Sequence, residues 1–309
     1  MAIAQLTLPW GRIAMMEKFK FGFYLLFFSL FLSACQPTSK LKENSTMNNP
    51  QEYVLHFGEQ GIQDFIKYSQ EDVDHQPASM SFHSLDFSPP NLGQIKIENA
   101  ANSLVLENVF AVLGTQISIH PKDGIQILDI DAGLTKEEFV SPEKAYQAYV
   151  NLMKRMNQAG WKNYFYRFDP RIAKEDNLKY LAENRNIIDP SYIFSFDEWK
   201  EVMKKNSDST YYRLYANGIF LGISLKQTAL NERGEEQYML RYDIQTARYN
   251  ERNLISNSDE MTASELEKAF KKSIIDDKKY RENEEKKVRA KGYRIDEEYV
   301  DPDVWQYVK

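Results

Sequence analysis

The side chains that most often bind metals or act as nucleophiles are few in this chain and widely spaced. The chain has one cysteine and four histidines, which are Cys35, His56, His75, His83 and His120. No two histidines have the spacing that places two ligands on one helix face or across one hairpin. A structural zinc site needs four grouped cysteine or histidine ligands. We therefore expect neither a metal site nor a cofactor.

Carboxylates are so common in this chain that most pairs of them say nothing about catalysis. The segment Asp129-Ile130-Asp131-Ala132-Gly133 is similar to the first residues of a calcium-binding loop. A twelve-residue loop that starts at Asp129 ends at Val140, where a bidentate glutamate is required. We therefore interpret this segment as an acidic turn at the end of a strand.

No sequence motif identifies an enzyme. The chain lacks a Gly-x-Ser-x-Gly elbow, a Walker loop and a dinucleotide-binding fingerprint. A Ser-His-Asp triad can be assembled from distant parts of a fold, so it is recognised by geometry and not by sequence. We therefore expect no catalytic residues. A lipoprotein hydrolase is the third of three functional hypotheses, after the two kinds of binding protein described below.

Cys35 follows directly after a strongly apolar segment. Two lysines precede residues 21–32, which are almost entirely apolar, and the small residues Ser33 and Ala34 lie just before Cys35. A basic region, an apolar region of about 7–15 residues and a small-residue cleavage site are typical of an export signal. Residues 21–34 would form a helix of roughly 21 Å, shorter than the hydrocarbon core of a bilayer. The segment therefore predicts an export signal.

The sequence Leu32-Ser33-Ala34-Cys35 resembles the lipobox of bacterial lipoproteins. The resemblance implies cleavage between Ala34 and Cys35 and attachment of a diacylglycerol to the Cys35 thiol. Residues 1–34 are then the signal peptide. Met16 is a candidate translation start, because residues 1–15 fit a basic leader region poorly.

The residues that follow the signal predict a tether to the membrane. Among residues 36–51, only Leu41 and Met47 are apolar, too few to stabilise a folded segment. Residues 35–51 should form a flexible tether with an end-to-end distance of roughly 22 Å. Two or more acyl chains anchor a protein stably in a bilayer. Gln36 is not acidic, and in lipoproteins this favours an outer-membrane, periplasm-facing location if the host has two membranes.

Removal of the signal peptide leaves an acidic chain. The leader contains three basic residues and one acidic residue, so the mature chain has 36 Lys and Arg against 44 Asp and Glu, a net charge of −8. This charge is unsuited to nucleic acids and suits basic protein partners. With its single cysteine acylated, the chain forms no internal disulfide, and core packing must stabilise it.

The hydrophobic patterning predicts an α+β fold with mainly antiparallel sheet and packed helices. Alternating or β-branched segments predict strands at 94–98, 103–108, 116–120, 124–130, 164–168, 211–215, 219–225 and about 236–248. Turns are predicted at 121–124, at Asn217-Gly218 and at 231–234. Helices are predicted at 141–159, at 195–203 and from Thr262 onward, each behind a serine or threonine cap.

The order of these elements predicts one soluble α+β domain at residues 52–260. A subdivision near residue 135 and two similar αβ halves are both compatible with that order. Residues 261–309 are expected to form a charged helix followed by an aromatic tail.

The last fifty residues contain a charged helix, and two roles of this helix are compatible with the sequence. From Asp276 to Lys291, 12 of 16 residues are charged with mixed signs. The segment is either a binding arm or a solvated helix with charge pairs four residues apart, and we favour the solvated helix. The tail after Gly292 is too apolar for a free end, so we expect it to dock on the domain or on a partner. Its apolar residues are Tyr293, Ile295, Tyr299, Trp305 and Tyr307.

Several short segments in the middle of the chain produce a second resemblance. They are Gly133-Leu134-Thr135, the helix at 141–159, Ala159-Gly160-Trp161-Lys162, Pro170-Arg171-Ile172 and Trp199. In order and composition, residues 125–250 are similar to lipoproteins encoded beside type VI secretion phospholipase effectors. The resemblance implies an immunity protein that lies in the periplasm and blocks the toxin by direct binding. We carry over no partner-binding residue from that family.

The sequence therefore predicts a membrane-anchored periplasmic binding lipoprotein. Its most concrete form is an immunity protein that inhibits a secreted lipase or phospholipase effector, which would be its protein partner. The alternative is an envelope assembly or structural lipoprotein that binds other envelope proteins. Aromatic residues make up 13% of the chain, and tyrosine and tryptophan are enriched at protein interfaces.

Overall fold

The computed structural model describes residues 52–184, 189–205 and 210–309. The predicted signal peptide, its cleavage site after Ala34, the acylated Cys35 and the tether at 35–51 lie outside the described residues. In the described part of the chain, no helix is both long enough and apolar enough to cross a membrane.

Ten strands in the described residues form one sheet. Their bounds are β1 Glu52–Leu55, β2 Asp74–Gln76, β3 Met80–Asp86, β4 Gly93–Ile97, β5 Leu104–Ile117, β6 Ile125–Gly133, β7 Lys162–Asn163, β8 Thr210–Ala216, β9 Ile219–Leu230 and β10 Glu236–Thr246. The helices are α1 Glu59–Tyr68, α2 Pro142–Gln158, α3 Asn177–Asn184, α4 Phe196–Lys205, α5 Ala247–Asn253, α6 Ala263–Ala290 and α7 Trp305–Val308.

The strand order is β1-β4-β5-β6-β10-β9-β8-β7, with β3 paired to β5 and β2 paired to β3. Only β1 and β4 run parallel among the described pairs, and the others are antiparallel. The predicted α+β class with mainly antiparallel sheet is therefore confirmed. Because β6 pairs with β10, the sheet is continuous across residue 135.

Local turn and cap chemistry fixes several of these boundaries. Asn217 and Gly218 have φ of 43° and 79° between β8 and β9, the positive values that a two-residue hairpin turn requires. The Ser141 hydroxyl accepts a hydrogen bond from the Lys144 amide at the start of α2. Thr262 forms the predicted capping box at the start of α6. These predictions are confirmed.

Three predictions about strands are wrong. Residues 104–108 and 116–117 of two separately predicted strands belong to one long strand, β5, which pairs first with β4 and then with β3 along the same edge, and residues 118–120 lie beyond its end. Asp129-Ile130-Asp131 lies inside β6 and not in a turn at its end, because β10 pairs with it throughout. Residues 164–168 leave the sheet after the short β7, and Tyr164 and Tyr166 pack into a second core. The sequence also gave no prediction for β1, β2, β3 and α1.

The first core joins one face of the sheet to α1, α2 and α4. Tyr149 on α2 stacks on Trp199 of α4, with ring centroids 4.5 Å apart, and Tyr242 of β10 packs in the same cluster. Phe65 of α1 lies over Gly114 of β5, where a Cβ atom would be 2.3 Å from the ring. This close approach explains why a glycine lies in the middle of a strand.

A second core holds α5, α6 and the C-terminal tail on the other face of the sheet. Phe220 of β9 packs on Tyr164, with ring centroids 4.6 Å apart. Phe270 of α6 packs on Trp305 at 5.1 Å, and Val308 is fully buried beside them. The prediction that the aromatic tail docks on the domain is therefore confirmed.

The charged helix α6 has two different faces. Its outer face has ion pairs between residues three or four positions apart, Lys272 with Asp276 and Lys287 with Glu284. Its inner face buries Arg281 and Glu285, which pair with Asp301 and Arg171. The solvated helix is thus confirmed for one face and wrong for the other, because the tail and the segment around Arg171 supply the opposite charges. The pairs of Arg281 with Asp301 and of Glu285 with Arg171 hold this face of α6 against the domain.

Candidate functional site

Part of one sheet face has no described helix packed over it. We call this surface the open face and define it by Leu113 of β5, Asp129 and Asp131 of β6, Ser224 of β9, and Met239, Arg241 and Asp243 of β10. Their strand neighbours, such as Ile130, Leu240 and Tyr242, point into the first core and are buried. The open-face side chains are half-buried or exposed. Alternation along each strand therefore places them together on the opposite side.

The strand register puts like charges opposite each other on the open face. Asp243 of β10 lies directly opposite Asp129 of β6, and Arg241 lies opposite Asp131. The Arg241 guanidinium also reaches the Asp129 carboxylate, with Nη2 3.4 Å from Oδ1, but its side chain is 61% exposed. Like charges at directly opposed positions destabilise a strand pair, and an exposed cation compensates weakly. The carboxylates are therefore incompletely neutralised.

The surroundings of Asp129 also change the pKa of its carboxyl group. Burial raises the pKa of Asp129 above its ordinary value, and the neighbouring carboxylate of Asp243 raises it further. The cation of Arg241 opposes both effects. An opposite charge supplied from outside would stabilise the ionised form of this carboxyl group.

The other arginine near the open face is already engaged. Arg213 of β8 lies over the ring of Tyr166, with its guanidinium carbon 3.2 Å from the ring centroid. Its Nη1 atom also lies 3.6 Å from the Asp169 carboxylate. Tyr211 covers Gly222, where a Cβ atom would be 2.2 Å from the tyrosine hydroxyl. Arg213 thus has an aromatic and an acidic partner of its own.

Apolar side chains lie beside the carboxylates. Met239 is 37% exposed, and Leu113 is half-buried. The ring of Phe110 lies near Gly133, 3.5 Å from the position of a Cβ atom there. Carboxylates beside partly exposed apolar groups are suited to contact with a protein that presents basic and apolar side chains.

The four histidines lie in three places, because His75 and His83 are neighbours on the paired strands β2 and β3. His56 Nδ1 lies 2.8 Å from the Asp64 carboxylate, and His120 Nε2 lies 2.9 Å from Asp259. His83 is buried against Phe65, and burial lowers the pKa of its imidazole. Within the described residues, no group of three or more His, Cys, Asp or Glu side chains could hold a metal ion.

One serine does reach a histidine. His75 Nδ1 lies 2.8 Å from the Ser81 hydroxyl, which in turn lies 2.9 Å from the Ser118 hydroxyl. Among the hydrogen bonds of the described residues, no carboxylate extends this chain at His75. The arrangement therefore lacks the acid that orients the base in a Ser-His-Asp triad.

The residues that produce the resemblance to immunity lipoproteins lie mostly inside the protein. Trp161, Ile172 and Trp199 are buried, and α2 forms the wall of the first core. The buried members of this set specify packing rather than a surface that a partner could contact. Comparisons with family models, with curated proteins and with solved structures find no match to this chain.

Sequence reasoning predicted no binding residue, so it missed the open face. The alternation of Asp129, Ile130 and Asp131, and of Met239 through Asp243, indicates strands with one polar side. It does not show which strands are neighbours or which residues face each other. The opposition of two carboxylates follows only from the observed pairing of β6 with β10.

Proposed function

We propose that this chain is a membrane-anchored, periplasm-facing binding lipoprotein that uses the open face to bind a protein partner. In its most concrete form it is an immunity protein that inhibits a type VI secretion lipase or phospholipase effector by direct binding. The observation that supports the proposal most directly is the half-buried pair of carboxylates at Asp129 and Asp243 on an uncovered sheet face.

The paired carboxylates favour a partner with a basic side chain at the contact. An arginine or lysine placed between Asp129 and Asp243 would relieve their repulsion and form charge-assisted hydrogen bonds. The net charge of −8 on the mature chain would speed the approach of such a partner. Met239 and Leu113 would supply apolar contact beside the charged group.

The predicted lipid anchor supports the same function. Acylation of Cys35 would hold the domain at the membrane through a tether of roughly 22 Å. Confinement there raises the effective concentration of the binding surface where a lipid-degrading toxin would act. The lipobox and the immunity resemblance both rest on the sequence.

The test starts with a search for a lipase-like effector gene next to the gene of this protein, and the product of such a gene is used in a binding measurement. The full mature chain in detergent is titrated with the effector, and the dissociation constant is compared with that of an Asp129→Asn/Asp243→Asn variant. We expect the variant to bind at least tenfold more weakly, because loss of a desolvated charge pair at an interface costs about 2–5 kcal/mol. Lipase activity should recover in parallel.

Asp197→Asn is the matched control. Asp197 lies on α4, on the opposite side of the sheet, and its carboxylate is 92% exposed. The control should bind as tightly as the native chain. Equal affinity of the open-face variant and the native chain would refute the open face as the contact surface. Failure of the native chain to bind the effector, with capture of envelope proteins at the open face instead, would favour the envelope-assembly alternative.

A further inference from the structure

A groove separate from the open face lies between α2, the segment that leads into β4, and the loop after β6. Its volume is about 830 Å³. We call it the amide groove, because four side-chain amides line it together with two aromatic rings. These residues are Asn91, Gln94, Asn108, Asn151, Tyr53 and Phe87. It shares no residue with the open face.

One wall of the groove is a bulge in β5, and another is one face of α2. Asn108 has a left-handed backbone with φ of 57° and lies in a bulge of β5, between Leu106 and Val109, which both pair with β4. Ala148, Asn151 and Arg155 are three and four residues apart on α2, so they line one side of that helix. Glu107 pairs with Arg155 and joins β5 to α2 along the wall.

The charged residues of the groove largely neutralise one another. Arg155 is paired with Glu107, and Glu137 is paired with Lys144 at 2.7 Å. Lys136 also lines the groove, so its four charged side chains, Glu107, Arg155, Lys136 and Glu137, sum to zero. The groove therefore has no net charge with which to attract a phosphate, a carboxylate or a basic peptide. Its remaining polar groups are mainly neutral.

The amides are available to a ligand. The side chains of Asn91 and Asn151 are exposed and make no hydrogen bond among those of the described residues. Gln94 makes one long hydrogen bond, 3.3 Å, to Glu52 at the surface. Each amide has two donor hydrogens and an acceptor oxygen, a combination that matches hydroxyl and acetamido groups, which also donate and accept.

Aromatic rings form the apolar part of the groove. Tyr53 and Phe87 are half-buried and meet edge to face, with ring centroids 5.0 Å apart. Phe87 lies against Gly93, where a Cβ atom would be 2.7 Å from the ring. The face of each ring can pack against C–H groups of a ligand. The volume lies within the range of about 300–1,000 Å³ that is typical of ligand sites.

We propose that the amide groove binds a neutral oligosaccharide that has hydroxyl and acetamido groups. Neutral amides beside aromatic rings match such a sugar, which has polar edges and less polar C–H faces. A lipid chain would leave the amides without partners, which is costly on desolvation. A basic peptide would find the two acidic side chains already paired. The proposal does not depend on the open face or on the immunity function.

The test uses the full mature chain in detergent and two soluble sugars. Calorimetric titration with chitotetraose, which has acetamido groups, should give saturable binding, and cellotetraose, which lacks them, should bind at least tenfold more weakly. Asn91→Ala/Asn151→Ala should weaken chitotetraose binding at least tenfold without changing the thermal unfolding midpoint. Gln147→Ala is the matched control, because Gln147 is exposed on α2 outside the groove.

A sedimentation assay then distinguishes the source of the sugar. Co-sedimentation with insoluble cell-wall glycan assigns a polymer, whereas binding of chitotetraose without co-sedimentation assigns a free oligosaccharide. No saturable binding of chitotetraose, or binding that is unchanged in the double variant, would overturn the proposal. Displacement of chitotetraose by a lysine-rich peptide would overturn it in favour of a peptide site.

Discussion

At the residue scale, we expect the Asp129 carboxylate to lower the stability of the fold, although the proposed binding of a basic partner requires it. Its carboxylate faces that of Asp243 across β6 and β10, and Arg241 is too exposed to compensate fully. Two residues further along β6, Asp131 faces Arg241 and has a favourable neighbour. The same strand therefore contains an opposed like-charge pair and an opposed unlike-charge pair, which can be compared directly.

Asp129→Asn should stabilise the fold at neutral pH. Removal of one of two directly opposed like charges should raise the free energy of unfolding by about 0.2–1 kcal/mol. Urea denaturation of the native chain and the variant at pH 7 measures the difference. Asp131→Asn is the matched control and should give no stabilisation, because Asp131 lies directly opposite Arg241 and not opposite a second carboxylate. Equal gains from both variants would contradict the role of the Asp129–Asp243 pair.

The gain from Asp129→Asn should depend on pH. Because the folded-state pKa of Asp129 is raised, the folded chain keeps this proton to a higher pH than the unfolded chain does. The native chain therefore loses stability at this site as the pH rises from the ordinary aspartate pKa of about 3.9. The variant's advantage should be absent near pH 3 and complete at pH 7. An advantage that stays constant over this range would contradict the raised pKa.

At the scale of elements, α6 shows how a highly charged helix can belong to a core. Its charge pattern alone suggested a solvated helix, yet Arg281 and Glu285 are buried and paired. Arg167, from the segment after β7, pairs with the fully buried Glu251 of α5 at 2.5 Å. A buried ion pair requires both partners, because a single unpaired charge is expensive to bury.

Phe270→Ala should test the docking of α6. Phe270 is buried against Trp305 of the tail, so its truncation should lower the free energy of unfolding by about 3–5 kcal/mol. Tyr280→Ala on the same helix is the control. Tyr280 is 56% exposed, and its loss should change stability by less than about 0.5 kcal/mol. Chemical denaturation followed by circular dichroism measures both, and similar effects of the two variants would contradict the docked arrangement.

At the scale of the whole molecule, the sheet joins the parts of the chain before and after residue 135. The sequence was also compatible with two separate halves. Seven residue pairs connect β6 to β10, on either side of residue 135. The first core extends over both halves through α2 and α4, and the second core adds α6 and the tail. The described residues from Glu52 onward therefore share one sheet and two cores that flank it, and a third, smaller cluster is formed by Ile172, Tyr180, Val288 and Tyr293.

Unfolding of the mature chain should be a single transition. Because β6 and β10 are neighbours, loss of either half of the sheet exposes core residues of the other half. Denaturation curves from tryptophan fluorescence and from far-ultraviolet circular dichroism should coincide. Two separated transitions, with one assigned to residues before 135, would show that the halves unfold independently.

The sequence by itself determined the features that depend on neighbouring residues. Helix caps at Ser141 and Thr262 and the hairpin at Asn217-Gly218 are set by local backbone and side-chain chemistry, so they were predicted correctly. The α+β class followed from the same local patterns. The acylation site at Cys35 is likewise a local motif, and it stays a prediction.

Only the tertiary structure decided which distant residues meet. Register places Asp129 opposite Asp243, and chain crossing brings Arg167 to Glu251 and Asn91 to Asn151 around one groove. Alternation is unchanged when a strand slides by two residues or takes another neighbour, so a polar strand face does not identify its partners. The open face and the amide groove therefore depend on long-range strand pairing. Core packing over the whole chain selects that pairing.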